Sequence, residues 1–266
     1  MDAKAVILIT GASSGLGKAT ATLLSRSGYI VYGTSRKQSD VDGIKMLQLD
    51  VKDDASVKEC VGEVIKDAGR IDVLVNNAGS MIMGPLEGTT ADDARELFDT
   101  NLFGMMRMVN AVLPSMRSRG DGKIVNMGSL SGTLPMPFLG AYSATKAAIF
   151  AYSSSLRHEL MRMGVWVSVV EPGFFDTGIL EHTGRGSGKA FGYTDMEERV
   201  LLKMRNALRK GNDPKLVARE ILGVVRSRSP RLRYHVGKEK VYAALKRAVP
   251  DNVFDSMYRK YWGLGK

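Results

Sequence analysis

The chain has 266 residues, 44% of them hydrophobic, and a formal net charge of +10. That length and apolar content suit one sizeable core and a single α/β domain. No apolar run approaches the roughly 20 residues that span a bilayer, and the one cysteine, Cys60, excludes an intramolecular disulfide and a cysteine-rich metal site.

Met1-Asp2-Ala3-Lys4 leads into a short apolar run that stops at Thr10, so no secretory leader is expected, and the compartment implied is a reducing cytosol or the cytosolic face of a membrane. Val6-Ile-Leu-Ile9 predicts a buried strand. Thr10-Gly-Ala-Ser-Ser-Gly-Leu-Gly17 follows, and Lys18 to Ser27 predicts a helix closed by Gly28. Gly11, Gly15 and Gly17 permit a tight turn and close approach of backbone to a ligand, and the helix start then aims free N–H groups at a phosphate. Ser13, Ser14 and Leu16 complete that turn, which carries a dinucleotide-site signal. The same stretch also fits a nucleophile elbow, Gly11-Ala-Ser13-Ser-Gly15, with His158, His182 and His235 downstream. An elbow needs an oxyanion N–H from an earlier loop, and only one strand precedes this one.

Ile30 to Thr34 predicts the second strand, ending in Ser35-Arg36-Lys37, with no carboxylate before Asp40. An acid at this strand end accepts the ribose hydroxyls of NAD, whereas an arginine accommodates the 2′-phosphate of NADP. The pattern therefore points to NADP(H). Met46 to Leu49 predicts a third strand, running into Asp50-Val51. Asp53 to Ala68 predicts an amphipathic helix that places Cys60 in the core. Ile71 to Val75 predicts a fourth strand, leading into Asn76-Asn77-Ala78-Gly79. Strands alternating with helices imply a parallel sheet with right-handed crossovers.

A continuous helical pattern runs from Thr90 to Met116 with Asn101 near its middle. Lys123 to Met127 predicts a fifth strand, and Ser129 follows at its C-terminal end, where open α/β sheets bind ligands. Ala141 to Met163 predicts a helix carrying Tyr142 and Lys146 one turn apart on the same face. A nearby ammonium and the helix N-terminus both favour phenolate, which predicts a tyrosine pKa below its usual value of about 10 and proton transfer near neutral pH. The Tyr-x3-Lys spacing also occurs at Tyr234/Lys238 and Tyr242/Lys246. The first pair spans an extended run and the second reads as a surface helical pair.

Val165 to Val170 predicts the sixth strand, followed by Glu171-Pro172-Gly173 and Phe174 to Thr177. Gly178 to Thr194, with five glycines, reads as a loop able to close over a ligand and to be disordered without one. Helices at Asp195–Lys210 and Pro214–Arg226, a seventh strand at Leu232–Val236, and a helical tail at Lys238–Ala248 and Asn252–Trp262 complete the chain. Met81, Ile82, Met83, Leu130, Pro135, Met136, Phe138, Leu139, Phe174 and Phe175 form an expected substrate-pocket wall, apolar and without fixed charge. Leu201 to Lys266 holds 17 basic and 5 acidic residues, so this end carries +12 and the first 200 residues −2. The basic third reads as a solvated face, an anionic-ligand site or a peripheral membrane contact. With no interleaved aromatics in Arg226 to Arg233, no nucleic-acid partner is expected, and no metal is called for.

From Val6 to Thr177 these motifs together resemble the short-chain dehydrogenase/reductase family: the glycine turn, Asp50, Asn76-Asn-Ala-Gly79, Asn101, Ser129, Tyr142-x3-Lys146 and Pro172-Gly-Phe-Phe-Asp-Thr177. The tail and the second strand end are similar to steroid and retinol dehydrogenase-like members. The resemblance implies a Rossmann-type, doubly wound, seven-stranded parallel sheet, order 3-2-1-4-5-6-7, in one domain over 1–266. It divides the chain into a mainly cofactor-binding half (5–90), a catalytic half (91–177), a substrate lid (178–212) and a helical tail (238–266). It implies hydride transfer between a nicotinamide and a hydrophobic carbonyl or alcohol, such as a steroid, retinoid, acyl-lipid or aromatic ketone. Tyr142 would be the acid/base, Ser129 would stabilise the oxygen, and Lys146 would bind the ribose hydroxyls and lower the Tyr142 pKa. Asn101 would kink its helix and hold a water linked to Lys146. Asp50, Val51, Asn77, Ala78, Gly79, Pro172, Gly173, Phe175 and Thr177 would join the turn residues, Ser35 and Arg36 around the cofactor. The long helices at Thr90–Met116 and Ala141–Met163 imply a homodimer or homotetramer. An NADPH-sensing protein without turnover is the alternative on the same fold.

Overall fold

The computed structural model describes residues 4–178 and 183–264. The first four strands and their helices are β1 (Val6–Ile9), α1 (Gly15–Arg26), β2 (Ile30–Ser35), β3 (Lys45–Gln48), α2 (Asp54–Ala68) and β4 (Val73–Asn76). A two-residue β5 (Ile82–Met83), α3 (Ala91–Phe98), α4 (Gly104–Arg119), β6 (Gly122–Met127), α5 (Gly140–Leu160) and β7 (Val165–Pro172) follow. The chain ends with a two-residue β8 (Gly184–Arg185), α6 (Thr194–Arg209), α7 (Lys215–Arg226), β9 (Arg233–Val236), α8 (Lys240–Ala248) and α9 (Asp251–Trp262).

Seven strands form one parallel sheet in the order β3-β2-β1-β4-β6-β7-β9, the expected order once the two short strands are set aside. Successive side chains on β1 point to opposite faces. Val6 and Leu8 join a core with α2, α4 and α5 through Val57, Val64, Met108, Val112 and Leu156. Ile7 and Ile9 join a second core with α1 and α7 through Ala21, Leu24, Val217 and Ile221. Helices on both faces explain why β1 and β4 are apolar runs rather than alternating ones. Cys60 is buried in the first core, which raises its thiol pKa to about 12 and makes it an inert packing residue.

Local signals fix several boundaries. Asp53 caps α2 by accepting from the Ala55 N–H at 2.9 Å, and Gly69, at φ +75°, ends it. Thr90 and Asp93 form a reciprocal capping box on α3. The expected continuous helix from Thr90 to Met116 is instead two α-helices joined by a π turn at Asp99–Phe103. That wider turn sets Asn101 off the α-helical ladder, which is the kink the resemblance implied.

The small strands went unforeseen. β5 and β8 pair in parallel, Ile82 with Gly184 and Met83 with Arg185. Two residues give no period to read, so Met81 to Met83 registered only as apolar wall. Part of the expected lid is thereby tied down. The Ser187 N–H and Oγ both donate to Asp93 Oδ2 at 2.9 Å, and Arg185 pairs with Glu197 at 2.6 Å. Donors from Ser187 and Thr90 hold the half-buried Asp93 carboxyl down at about 2. Residues 179–182, part of the Gly178–Thr194 segment expected to be disordered without a ligand, lie outside the described residues.

Candidate active site

A polar groove of about 390 Å3 runs along the C-terminal ends of β1, β2, β4 and β6. The glycine turn forms its floor. Gly11 and Gly15 adopt φ of +66° and +53°, in the left-handed region that glycine tolerates. Gly17 does not line the groove. A Cβ there would stand 2.1 Å from the Gly11 carbonyl oxygen, so its role is close packing of helix on turn. No side chain caps α1 and its first turn holds no acid, which leaves its N–H groups available to an anion. Asn77 Nδ2 donates to the carbonyls of Thr10 and Gly11, while Thr10 Oγ1 accepts from the N–H groups of Asn77 and Ala78. This two-way tie locks the β1 and β4 ends together.

The other predicted cofactor residues all line this groove: Ser13, Ser14 and Leu16 in the turn; Ser35 and Arg36 after β2; Asp50 and Val51 after β3; Asn77, Ala78 and Gly79 after β4; and Tyr142, Lys146, Pro172, Gly173, Phe175 and Thr177. The groove therefore fits an extended molecule with phosphates over α1 and a flat ring near Gly173. Lys52, Ser80 and Thr100 also line it, and no sequence signal marked them.

Ser129 lies just beyond β6, and its Oγ accepts from Ser131 Oγ at 2.9 Å and from the Ser131 N–H at 3.2 Å. Tyr142 and Lys146 stand in the first turns of α5. Lys146 is 6% exposed, donates to the Met127 carbonyl at 2.9 Å and sits 5.5 Å from the Tyr142 ring centroid. Tyr142 keeps part of its surface open to the cavity but is crowded by protein. Burial pushes its pKa up to about 12 against the opposing pull of a hydrogen bond with Ser129, and burial also pushes Lys146 down to about 8. The expected depression of the tyrosine is thus reversed. Desolvation of the phenolate outweighs the Ser129 hydrogen bond, and burial alone accounts for the lysine.

Asn101 is buried. Its Oδ1 accepts from the Ser80 N–H, and its Nδ2 donates to the Ser80 carbonyl and to Thr145 Oγ1. Its side chain clamps the β4 loop to α5. A second brace escaped sequence reasoning. Arg233 on β9 holds the buried Glu171 at 2.9 Å, hydrogen-bonds Thr133 in the loop after Ser129, and lies over the Phe150 ring.

Beside the groove opens a second cavity of about 480 Å3. Ser129, Tyr142, Pro172 and Gly173 line both spaces, so the two meet at the tyrosine hydroxyl. Met81, Leu130, Met136, Leu139 and Phe174 line this cavity as expected. Pro135 does not; it is exposed, and its neighbour Leu134 takes the place. Phe175 is buried on the groove side, Ile82 and Met83 are in β5, and Phe138, held at φ +63°, packs edge-on to Tyr193 instead. Much of the wall comes from α6, α8 and α9, through Met204, Leu208, Tyr242, Phe254, Tyr258 and Trp262. Tyr242 and Lys246 are thus not merely a surface pair. Tyr242 lines the cavity, and Lys246 reaches the Thr133 carbonyl at 3.1 Å. Three charged residues, Lys203, Glu239 and Lys260, also line this cavity, correcting the expectation of an uncharged wall.

Comparison with known proteins follows the same lines. The family model for short chain dehydrogenase matches residues 5–187. A 3-ketodihydrosphingosine reductase of Bacteroides thetaiotaomicron is 39% identical over 264 residues, covering 97% of this chain and 98% of that one. The crystal structure of a short-chain dehydrogenase from Streptomyces avermitilis superposes with a TM-score of 0.83 at 32% identity, covering 99% of this chain and 97% of that one. ElxO with NADP bound superposes with a TM-score of 0.76 at 25% identity, covering 90% of this chain and 99% of that one.

Proposed function

Because the chain belongs to the short-chain dehydrogenase family and is an oxidoreductase of the CH–OH/C=O class, we propose that it is an NADP(H)-dependent enzyme that interconverts a hydrophobic ketone or aldehyde with its alcohol. The observation that carries this reading is the pair Ser129 and Tyr142, which face both the polar groove and the apolar cavity. A bound nicotinamide cofactor supplies or accepts the hydride. The chain's own residues manage the oxygen and the proton. In reduction, Tyr142 Oη donates its proton to the carbonyl oxygen, and a phenol with a pKa near 12 is fully protonated for that task at neutral pH. Ser131 donates to Ser129 Oγ, and the Ser129 hydroxyl, which meets the Tyr142 oxygen, is placed to turn its hydrogen to the same carbonyl oxygen and stabilise its developing charge. Lys146 is the proposed partner of the ribose hydroxyls, and Asn101 a positioning residue.

The preference for NADP(H) is supported by the end of β2, where Ser35 and Arg36 line the groove and no carboxylate follows before Asp40. The apolar wall supports a lipid-like substrate, and the name of the Bacteroides relative attaches that relative to such a ketone. Val241, Tyr242, Val253 and Met257 on α8 and α9 are exposed within the basic end of the chain. They support approach to an anionic membrane surface, which vesicle flotation with and without anionic lipid tests. We treat the chain as one unit that pairs through α4 and α5, and light scattering at micromolar concentration tests that pairing.

The deciding experiment follows NADPH and NADH oxidation over a panel of steroid, retinoid, acyl-lipid and aromatic carbonyls, with Tyr142→Phe in parallel. NADPH-selective turnover should fall by about 10³-fold in the mutant while NADPH binding persists. NADPH binding without turnover on any carbonyl would return the chain to the sensing alternative.

A further inference from the structure

Glu239 is 8% exposed and lines the apolar cavity. It occupies the N-cap position of α8, yet its side chain makes no capping hydrogen bond. The carboxylate turns away from the helix and rests on two glycines. A Cβ on Gly173 would stand 2.4 Å from Glu239 Oε2, and one on Gly237 would stand 2.8 Å from it. Asn212 Nδ2 donates to Oε2 at 2.9 Å while also donating to the Phe174 carbonyl at 2.8 Å. The chain therefore builds a dedicated seat for this carboxylate.

That seat has no cation in it. Among the described residues Glu239 forms no ion pair, although a buried carboxylate is costly unless paired or well hydrogen-bonded. The two lysines lining the same cavity are placed elsewhere. Lys260 is exposed, and Lys203 Nζ lies 4.1 Å from the Tyr261 ring centroid. Gly173, against which the carboxylate packs, belongs to the strip shared by cavity and groove, beside Ser129 and Tyr142. A cation held there is a near neighbour of the reacting carbonyl. Leu134, Leu245, Phe254 and Met257 leave the remainder of the space apolar.

We propose that Glu239 is the ammonium-binding residue of the substrate cavity, and that the substrate class is a long-chain amino ketone or the corresponding amino alcohol. The proposal rests on the oxidoreductase reading above and names its substrate class. The ammonium is held by Glu239, the carbonyl oxygen faces Tyr142 and Ser129, and the alkyl chain fills the apolar wall.

Binding tests this without requiring turnover. The whole protein, with NADP+ bound, is titrated by calorimetry with three matched ligands: a long-chain amino alcohol, its N-acetylated form, and the alcohol lacking nitrogen. Wild type should bind the free amine at least about tenfold tighter than either neutral ligand. In Glu239→Gln, which keeps an acceptor for Asn212 and removes the charge, that ratio should fall toward one. Equal affinity for all three in wild type would overturn the proposal, with no mutant needed. An equal weakening of all three in Glu239→Gln would also overturn it, marking Glu239 as a brace for the Phe174 loop. The two readings fail separately. Turnover of plain ketones without amine preference removes the ammonium site and leaves the enzyme standing, whereas amine preference without turnover of any carbonyl does the reverse.

Discussion

The groove and the cavity meet along a short strip, Ser129, Tyr142, Pro172, Gly173 and Leu208, and differ in almost everything else. The groove is built at strand ends, from residues held by hydrogen bonds to the main chain such as those from Asn77 Nδ2 to the Thr10 and Gly11 carbonyls. The cavity is built largely from helix side chains after residue 200, packed through aromatic contacts such as Tyr258 and Tyr261 on Trp262. One site is the more polar of the two and is anchored to strand ends. The other is a packed apolar surface whose outline changes with each side chain. A parallel sheet fixes the first, because its strand ends cannot move without breaking a ladder, whereas helix packing tolerates repacking in the second.

Mutations on the two sides should therefore separate. Trp262→Ala removes a side chain that is 3% exposed and lines the cavity. It should raise the KM of the carbonyl substrate by about 100-fold or more and cost about 3 kcal/mol of stability, with NADPH affinity changed less than about twofold. Equal losses on both sides would erase the distinction.

At the junction, Lys146 carries a pKa lowered from 10.5 to about 8 by burial. Its charged form is the disfavoured one in the fold, so the unfolded chain holds that proton more tightly. The resulting penalty is full below pH 8 and disappears as pH rises toward 10.5, an amount on the order of 3 kcal/mol. Lys146→Met should accordingly melt higher than wild type at pH 7 while losing turnover, and the gain should vanish near pH 10.5. In the wild type, reduction should slow as pH rises through 8 and Lys146 loses its charge. A flat rate profile from pH 6 to 9.5 would refute that assignment.

On the groove side alone, Arg36→Ala should weaken NADPH relative to NADH by about tenfold, or 1.4 kcal/mol, without altering the preference among carbonyls. Fluorescence titration with both cofactors reads this directly. The smallest effect belongs to the tie between Asp93 and Ser187. Asp93→Asn should increase cleavage between residues 184 and 193 by a few-fold in limited proteolysis at pH 7. The wild-type tie holds above the ordinary carboxylate range and is lost as pH falls through about 2; cleavage that is unchanged by the substitution would show that the paired short strands alone hold this segment.

The same contrast explains what could be read beforehand. Apolar runs such as Val6 to Ile9 announced the sheet because both of its faces are covered, and the glycine turn announced the groove because few residues adopt φ near +60°. Tyr142, Lys146 and Ser129 stood out through their spacing and the strand before them. The cavity wall did not. Pro135 was expected in it and Leu134 is there, since a loop has no period to fix which residue turns inward. Glu239 was invisible for a related reason. It begins a helix, where an acid ordinarily serves as a cap, and only the surrounding Gly173, Gly237 and Asn212 show it turned elsewhere. The pKa of Tyr142 was misjudged because spacing reveals the neighbouring charge and hides the depth of burial.

The late position of α8 and α9 in the chain bears on synthesis. Domains fold as the ribosome releases them, from the N-terminus onward. All groove-lining residues but Leu208 precede residue 178, whereas Tyr242, Phe254, Tyr258 and Trp262 are made more than sixty residues after Thr177. A nascent chain thus presents most of its groove before the helices that enclose the second cavity exist. Occupation of the groove can then act as an early folding aid, ahead of the closing of the apolar chamber.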